Sequence, residues 1–307
     1  MSGIEKVCVI GAGVMGAGIA AQAANAGAQV ILLDIAEGAA ADAIKRMTKE
    51  KPAAFMHPKL AKKVTPGTTG DNLALIADCD WIIEAIIERP DIKQDLYRSL
   101  LPHLKPDTIV SSNTSTIPLK VLREGMDTAL KPRFMITHFF NPPRYMRLLE
   151  LITADDTDNG AIERISHFCD AGMGKSVVTA KDTPGFIANR IGTLWLHAAV
   201  TEAFRRNIGV EQADAVLGRP AGVPKTGIFG LADLVGIDLM PHILASFEKS
   251  LPPDDLFHTY GAGPDLVGKM IADGYTGRKG KGGFYRLNTD GGNKVKEVID
   301  LTSGDYA

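Results

Sequence analysis

Proton transfer near neutral pH is most easily done by histidine, and seven histidines must be sorted in this chain. His57, His103, His167, His242 and His258 stand in polar or helical stretches where solvent exposure explains them, and His197 lies within a helical run. His138 is different. It ends the apolar run Phe134-Met135-Ile136-Thr137-His138 and leads into Phe139-Phe140-Asn141-Pro142, a turn expected at the sheet edge where open α/β folds bind ligands. Twelve residues later Glu150 stands among Leu148, Leu149, Leu151 and Ile152, where a carboxylate is costly unless paired. A His138–Glu150 pair resolves both oddities and supplies a base for an alcohol that gives up hydride. Structural ion pairs perturb the same groups, so the pattern equally admits a structural histidine beside an unrelated edge glutamate.

A second constellation is Gly11-Ala12-Gly13-Val14-Met15-Gly16, the spacing G-x-G-x-x-G set between the apolar run Lys6–Ile10 and a small-residue, helix-forming stretch. Gly11 permits a tight turn, Gly13 lets the backbone approach a pyrophosphate, and Gly16 lets the helix pack on the strand. Gly11, Gly13, Met15 and Gly16 are therefore the loop's candidate cofactor residues. Asp34 closes the next apolar run, where a ribose-binding carboxylate belongs. Its charge would accept ribose hydroxyls and repel a 2′-phosphate, so the expected cofactor is NAD rather than NADP. The other reading is a packing turn with Asp34 as a helix N-cap, and the strand–turn–helix context weighs against it.

These residues require a scaffold. The runs KVCVI and VILLD with a helix between them predict parallel strands and the seed of a doubly wound sheet. Ala36 to Lys63, rich in Ala, Lys and Glu and broken by Pro52 and Pro58, is expected as a helical excursion in two or more pieces. Further strands are expected at Trp81–Glu84, Thr108–Ser112, Phe134–His138 and Leu148–Ile152, with a helix over Asp91–Leu101. Beyond Lys181 the pattern turns helical, notably over Gly185–Arg206. The fold class is α/β, a Rossmann-type doubly wound sheet over residues 1–182 followed by a mainly α-helical C-terminal domain over 183–307. The polar final stretch NTDGGNKVKEVIDLTSGDYA is expected to extend beyond the core.

A length of 307 residues with 45% hydrophobic and 23% charged side chains suits two folded domains rather than a disordered or fibrous chain. Thirty-four basic residues against thirty-six acidic ones create no global field for nucleic acid or an anionic membrane, so neither is an expected partner. Cys8, Cys79 and Cys169 lack paired or zinc-ligand spacing, which predicts free thiols, a reducing compartment and no metal. No leader and no stretch of membrane-spanning length is read, so a cytoplasmic protein is expected.

Taken together, VIGAGVMGAGIA, EAIIERPDIK, SSNTST, THFFNP, LLELI and AKDTPGFIANRIG resemble the 3-hydroxyacyl-CoA dehydrogenase family, in order and over nearly the whole chain. The resemblance implies an NAD-dependent enzyme that oxidises (S)-3-hydroxyacyl-CoA, an acyl-CoA thioester, to 3-oxoacyl-CoA in fatty-acid β-oxidation. It matches His138 to the family's general base, Glu150 to its orienting carboxylate, and Ser115 and Asn189 to substrate hydrogen-bonding groups. It places Glu88, Lys93, Asn113 and Asn141 around the nicotinamide and its ribose, with Lys279 of GRKGKGGFY a more distant match. KPAAF, FNPPRYMRLLELI and the longer stretch Gly218–Gly227 are similar to a subgroup whose dehydrogenase belongs to a longer chain, so an enoyl-CoA hydratase module is a partner the resemblance allows.

The basic residues Lys45, Arg46, Lys49, Lys51, Lys59, Lys62 and Lys63 cluster in the helical excursion. Lys45 and Lys49 are candidates to hold CoA phosphates as point charges, and a solvated helix face explains the cluster equally well. In the family the helical domain covers an apolar face against a copy of itself or a second repeat, which implies a homodimer here. Two rivals remain: a non-catalytic NAD-binding structural protein on the same scaffold, and a dehydrogenase of small free hydroxy acids, which would need an Arg clamp. Intact His138, Glu150, Ser115 and Asn189 argue against the first.

Overall fold

The computed structural model describes residues 3–223, 225–261, 263–289 and 292–307. Two compact units divide after Phe186, four residues beyond the boundary read from the sequence. The first unit carries an eight-stranded sheet: β1 (Lys6–Ile10), β2 (Gln29–Asp34), β3 (Val64–Thr68), β4 (Trp81–Glu84), β5 (Ile109–Ser112), β6 (Phe134–Phe139), β7 (Leu148–Ile152) and β8 (Ser176–Ala180). Its helices are α1 (Val14–Asn25), α2 (Ala39–Met47), α3 (Pro90–Leu100), α4 (Leu119–Leu122) and α5 (Asn159–His167). The strand order is β3-β2-β1-β4-β5-β6-β7-β8, and every neighbouring pair is parallel except β6 and β7.

Central parallel strands are covered on both faces, which is why β1, β2 and β4 read as continuous apolar runs. Alternation still sorts their side chains. Val7, Val9, Leu32 and Ile83 pack with the alanines of α1 on one face, and Cys8, Ile10, Ile31, Leu33 and Ile82 pack with Tyr97, Leu100 and Leu119 on the other. The direction of winding reverses between β1 and β4, and the loops leaving their carboxyl ends open a crevice there.

Two strands of this sheet, β3 and β8, were not expected, and both lie at its edges. An edge strand bonds to one neighbour only, so β3 tolerates Pro66 and Gly67, and the half-exposed Ser-Val-Val-Thr-Ala of β8 carries little apolar signal.

The second unit contains α6 (Ala188–Arg205), α7 (Val210–Val216), α8 (Phe229–Val235), α9 (Met240–Ser250), α10 (Asp265–Ala272) and the antiparallel pair β9 (Tyr285–Asn288) and β10 (Val295–Val298). The expectation that the last stretch leaves the core is corrected. Val295 and its neighbours pair with β9, Ile299 is 3% exposed, and the Tyr306 hydroxyl donates to Gly283 O at 2.6 Å. Its apolar residues are spread through polar sequence, so composition hid the strand. Residues 290 and 291 of that stretch, and Pro224 of the 218–227 loop, lie outside the described residues. All three cysteines are buried free thiols, and burial pushes Cys79 up to about 12. Among the described residues no single helix is long and apolar enough to cross a membrane.

The start of β4 is tied to the start of β1 by Asp80, which accepts hydrogen bonds from the amides of Glu5 (2.8 Å) and Lys6 (2.9 Å) and pairs with Lys105. Burial works to raise its carboxyl, but Lys105 and the two amides outweigh burial and hold it below the ordinary value. A depressed folded value stabilises above the unfolded aspartate range and is lost as pH falls through it. Asp80→Asn is therefore expected to cost about 1–3 kcal/mol at pH 7. The gap from the unmodified protein should close below about pH 4 in denaturant titrations.

Candidate active site

The glycine loop is built by close approach. Gly11 has φ +106°, donates its amide to Leu33 O at 2.7 Å, and would place a Cβ 2.4 Å from Ala85 O. A Cβ on Gly16 would lie 1.9 Å from Gly11 O. These two glycines are demanded by the fold itself. Gly13 is not: a Cβ there meets no protein atom within 4 Å. Gly13 also caps α1 without a side chain, so the first amides of the helix face the crevice unscreened, and such a terminus suits a phosphate. Asp34 lies at the end of β2, where its Oδ2 accepts from the Ala12 amide at 2.6 Å and its Oδ1 from Ala36 at 3.1 Å. It braces the loop from the side on which a ribose would sit. The donors of α1, the open approach at Gly13 and the carboxylate of Asp34 fit a dinucleotide.

At the far side of the sheet, antiparallel pairing of β6 with β7 sets His138 opposite Glu150. Both are buried, and His138 Nδ1 lies 2.8 Å from Glu150 Oε2. A carboxylate only accepts, so Nδ1 carries the proton and Nε2 is left with its lone pair. Nε2 lies 3.1 Å from Ser115 Oγ, whose hydroxyl donates to it. The rings of Phe140 and Phe186 stand 4.5 and 5.6 Å from the imidazole, so the base works in a largely apolar surround. Phe186 holds φ +51°, a strained value for a phenylalanine and one that concentrates at functional sites.

Ser115 is positioned by Glu88, whose Oε1 accepts from the Thr114 hydroxyl (2.9 Å) and the Ser115 amide (2.8 Å). Glu88 Oε2 lies 3.2 Å from Lys93 Nζ, and Lys93 also pairs with Glu84 at the end of β4. Glu84 further accepts from Tyr97 and Ser112, each at 2.7 Å. Burial, then Glu84, pushes the Tyr97 hydroxyl well above its ordinary value, so it stays a donor. Glu84, Tyr97 and Ser112 were missed in the sequence. The signal was present, since Glu84 is a charge inside an apolar strand, as Glu150 is.

The remaining candidates are dispersed. Asn113 uses its side-chain oxygen to accept from the Phe139 amide at 2.9 Å, bracing β6, and Asn141 is exposed in the following turn. Met15 lies in the first turn of α1, half-buried. Lys45 and Lys49 are exposed, and Lys45 pairs with Asp42 on the same face of α2, which is the solvated-face arrangement. Arg46 instead lines a cavity of about 190 Å³ with Val14, Gly18, Pro142 and Arg144. Asn189 occupies the first turn of α6 in the second unit, where Lys279 pairs with Asp238 at 2.9 Å. The turn after β6 is clamped: Arg144 donates to Ala53 O and Phe55 O, and buried Lys175 to Pro143 O and Met146 O. KPAAF and FNPPRYM are thus in contact.

Residues 6–183 match a family model described as 3-hydroxyacyl-CoA dehydrogenase, NAD binding domain, and residues 185–287 match the C-terminal domain of the same family. A Rickettsia prowazekii protein with the provisional name fatty acid oxidation complex trifunctional enzyme is 44% identical over 99% of the chain. The chain spans only 43% of that relative's length. Hydroxyacyl-coenzyme A dehydrogenase, mitochondrial, of Rattus norvegicus is 33% identical over 92% of the chain and 91% of its own length. Among solved structures, (S)-3-hydroxybutyryl-CoA dehydrogenase PaaH1 from Ralstonia eutropha aligns with a TM-score of 0.74 at 28% identity, covering 90% of this chain and 96% of that one.

The two kinds of glycine separate fold from binding. Gly11→Ala, strained and clashing, is expected to cost at least about 1–3 kcal/mol of stability. Gly13→Ala should unfold like the unmodified protein while its NADH affinity falls by about tenfold or more, because the methyl group stands where a pyrophosphate approaches. Thermal unfolding and NADH fluorescence titration read the two effects independently.

Proposed function

Since this chain belongs to the 3-hydroxyacyl-CoA dehydrogenase family, an NAD-dependent oxidoreductase family, we propose that it oxidises (S)-3-hydroxyacyl-CoA thioesters to 3-oxoacyl-CoA within fatty-acid β-oxidation. The observation that carries this reading is the orientation of His138, with Nδ1 held by Glu150 and Nε2 directed at Ser115 Oγ. A substrate hydroxyl taking its place beside Ser115 gives its proton to Nε2 as the bond from carbon 3 to hydrogen breaks. NAD, when bound, would supply the hydride acceptor for that hydrogen. The carbon–oxygen bond becomes a carbonyl, and Glu150 stabilises the imidazolium that results. Ser115 holds the substrate oxygen. The provisional name of the trifunctional relative supports the pathway assignment.

A non-catalytic NAD-binding role would leave a buried, oriented dyad without use. In the second unit the exposed Leu234, Val235, Leu239 and Ile243 of the α8–α9 segment support a second copy of the chain as partner.

The test is NADH formation from (S)-3-hydroxybutyryl-CoA, a long-chain (S)-3-hydroxyacyl-CoA and free 3-hydroxybutyrate, using enzyme whose sedimentation should read two chains. Turnover is expected with at least one thioester and not with the free acid. Tight NADH binding without turnover on either thioester would favour the structural role, and turnover confined to the free acid would reassign the substrate.

A further inference from the structure

The polar cluster at the carboxyl end of β4 has a charge balance that the proton transfer does not use. Glu84 is fully buried, and its oxygens take four donors: Lys93 Nζ and the Ile86 amide on Oε1, the Tyr97 and Ser112 hydroxyls on Oε2. A carboxyl group that accepts four hydrogen bonds has no site for a proton of its own, so Glu84 is ionised. Lys93 is 1% exposed and shared with Glu88, whose side chain is 40% exposed. Two carboxylates around one ammonium leave one net negative charge, with Glu84 and Lys93 out of solvent and Glu88 at the surface. Asp34 closes β2 and Glu84 closes β4, on opposite sides of β1 in the strand order. A dinucleotide laid across that order with one ribose at Asp34 carries its nicotinamide half toward β4.

We propose that Glu84 sets the cofactor's redox preference: its buried charge, acting with Lys93 and Glu88, keeps the nicotinamide end of the crevice net negative and favours the cationic oxidised ring over the neutral reduced one. The proposal rests on the cofactor assignment above. Removing the charge of Glu84 leaves Lys93 and Glu88 in balance, with no net charge. Removing Glu84 and Lys93 together restores one negative charge and leaves no buried ion unpaired.

Dissociation constants for NAD+ and NADH, measured by calorimetry without turnover, test this. Glu84→Gln should weaken NAD+ relative to NADH by about tenfold, the size expected of one unit charge at close range in a medium of intermediate dielectric. The double variant E84Q/K93M should return the ratio to near that of the unmodified protein. Tyr97→Phe removes a hydrogen bond but no charge and should leave the ratio where it was. If E84Q does not fold, Glu88→Gln makes the same change in net charge, and contacts common to both redox forms cancel in the ratio. An unchanged ratio in the single variant, or a double variant no better than E84Q, would overturn the proposal. Failure of the unmodified protein to bind either dinucleotide would instead overturn the cofactor assignment.

Discussion

A carboxylate is costly inside an apolar sheet unless donors meet it, and two carboxylates of the first unit's strands are fully buried, Glu84 in β4 and Glu150 in β7. Each dictates what surrounds it. Glu150 takes the Nδ1 proton of His138 and so decides which ring nitrogen is free for chemistry. Glu84 draws Lys93 inward from α3, and Lys93 in turn holds Glu88, whose carboxylate orders the loop that presents Ser115. Ser115 closes the path by donating to His138. The two buried charges are thus the ends of one continuous chain of contacts, Glu84–Lys93–Glu88–Ser115–His138–Glu150, in which no member can be shifted without disturbing the next.

The topology supplies the geometry that the charges need. Reversal of winding at β1 and β4 opens the crevice, and Asp80 locks those two strands at their opposite ends. The single antiparallel step, from β6 to β7, needs no crossover helix, so the turn between them is free to carry binding residues. That freedom is limited by Arg144 and Lys175, which pin the turn to carbonyls of the 53–55 stretch and of the turn itself.

Much of this was legible in the chain. The β1–α1–β2 seed announces itself because parallel strands must be apolar on both faces and because Gly11 and Gly16 leave no room for a Cβ. His138 and Glu150 were found by asking which charges sit where charge is expensive. The same question, put to Glu84 in Trp-Ile-Ile-Glu, would have found the second cluster and its partner Lys93. What stayed hidden had weak local signals for physical reasons. The edge strands β3 and β8 need little apolar content, and β10 draws its stability from pairing with β9 rather than from its own composition. For Lys45 and Lys49 the alternatives of a phosphate contact and a solvated helix face look the same in sequence, because both leave the side chains exposed, as they are here.

Whether His138 and Glu150 act as one proton-transferring unit is tested most directly by single-turnover NADH formation across a double-mutant cycle. With His138→Ala, Glu150→Gln and the double variant all still binding NAD, the double variant is expected to react only slightly more slowly than His138→Ala alone, because the carboxylate acts only through the imidazole. Losses that add across the cycle would show Glu150 acting independently of His138 and would rule out the pair as one unit.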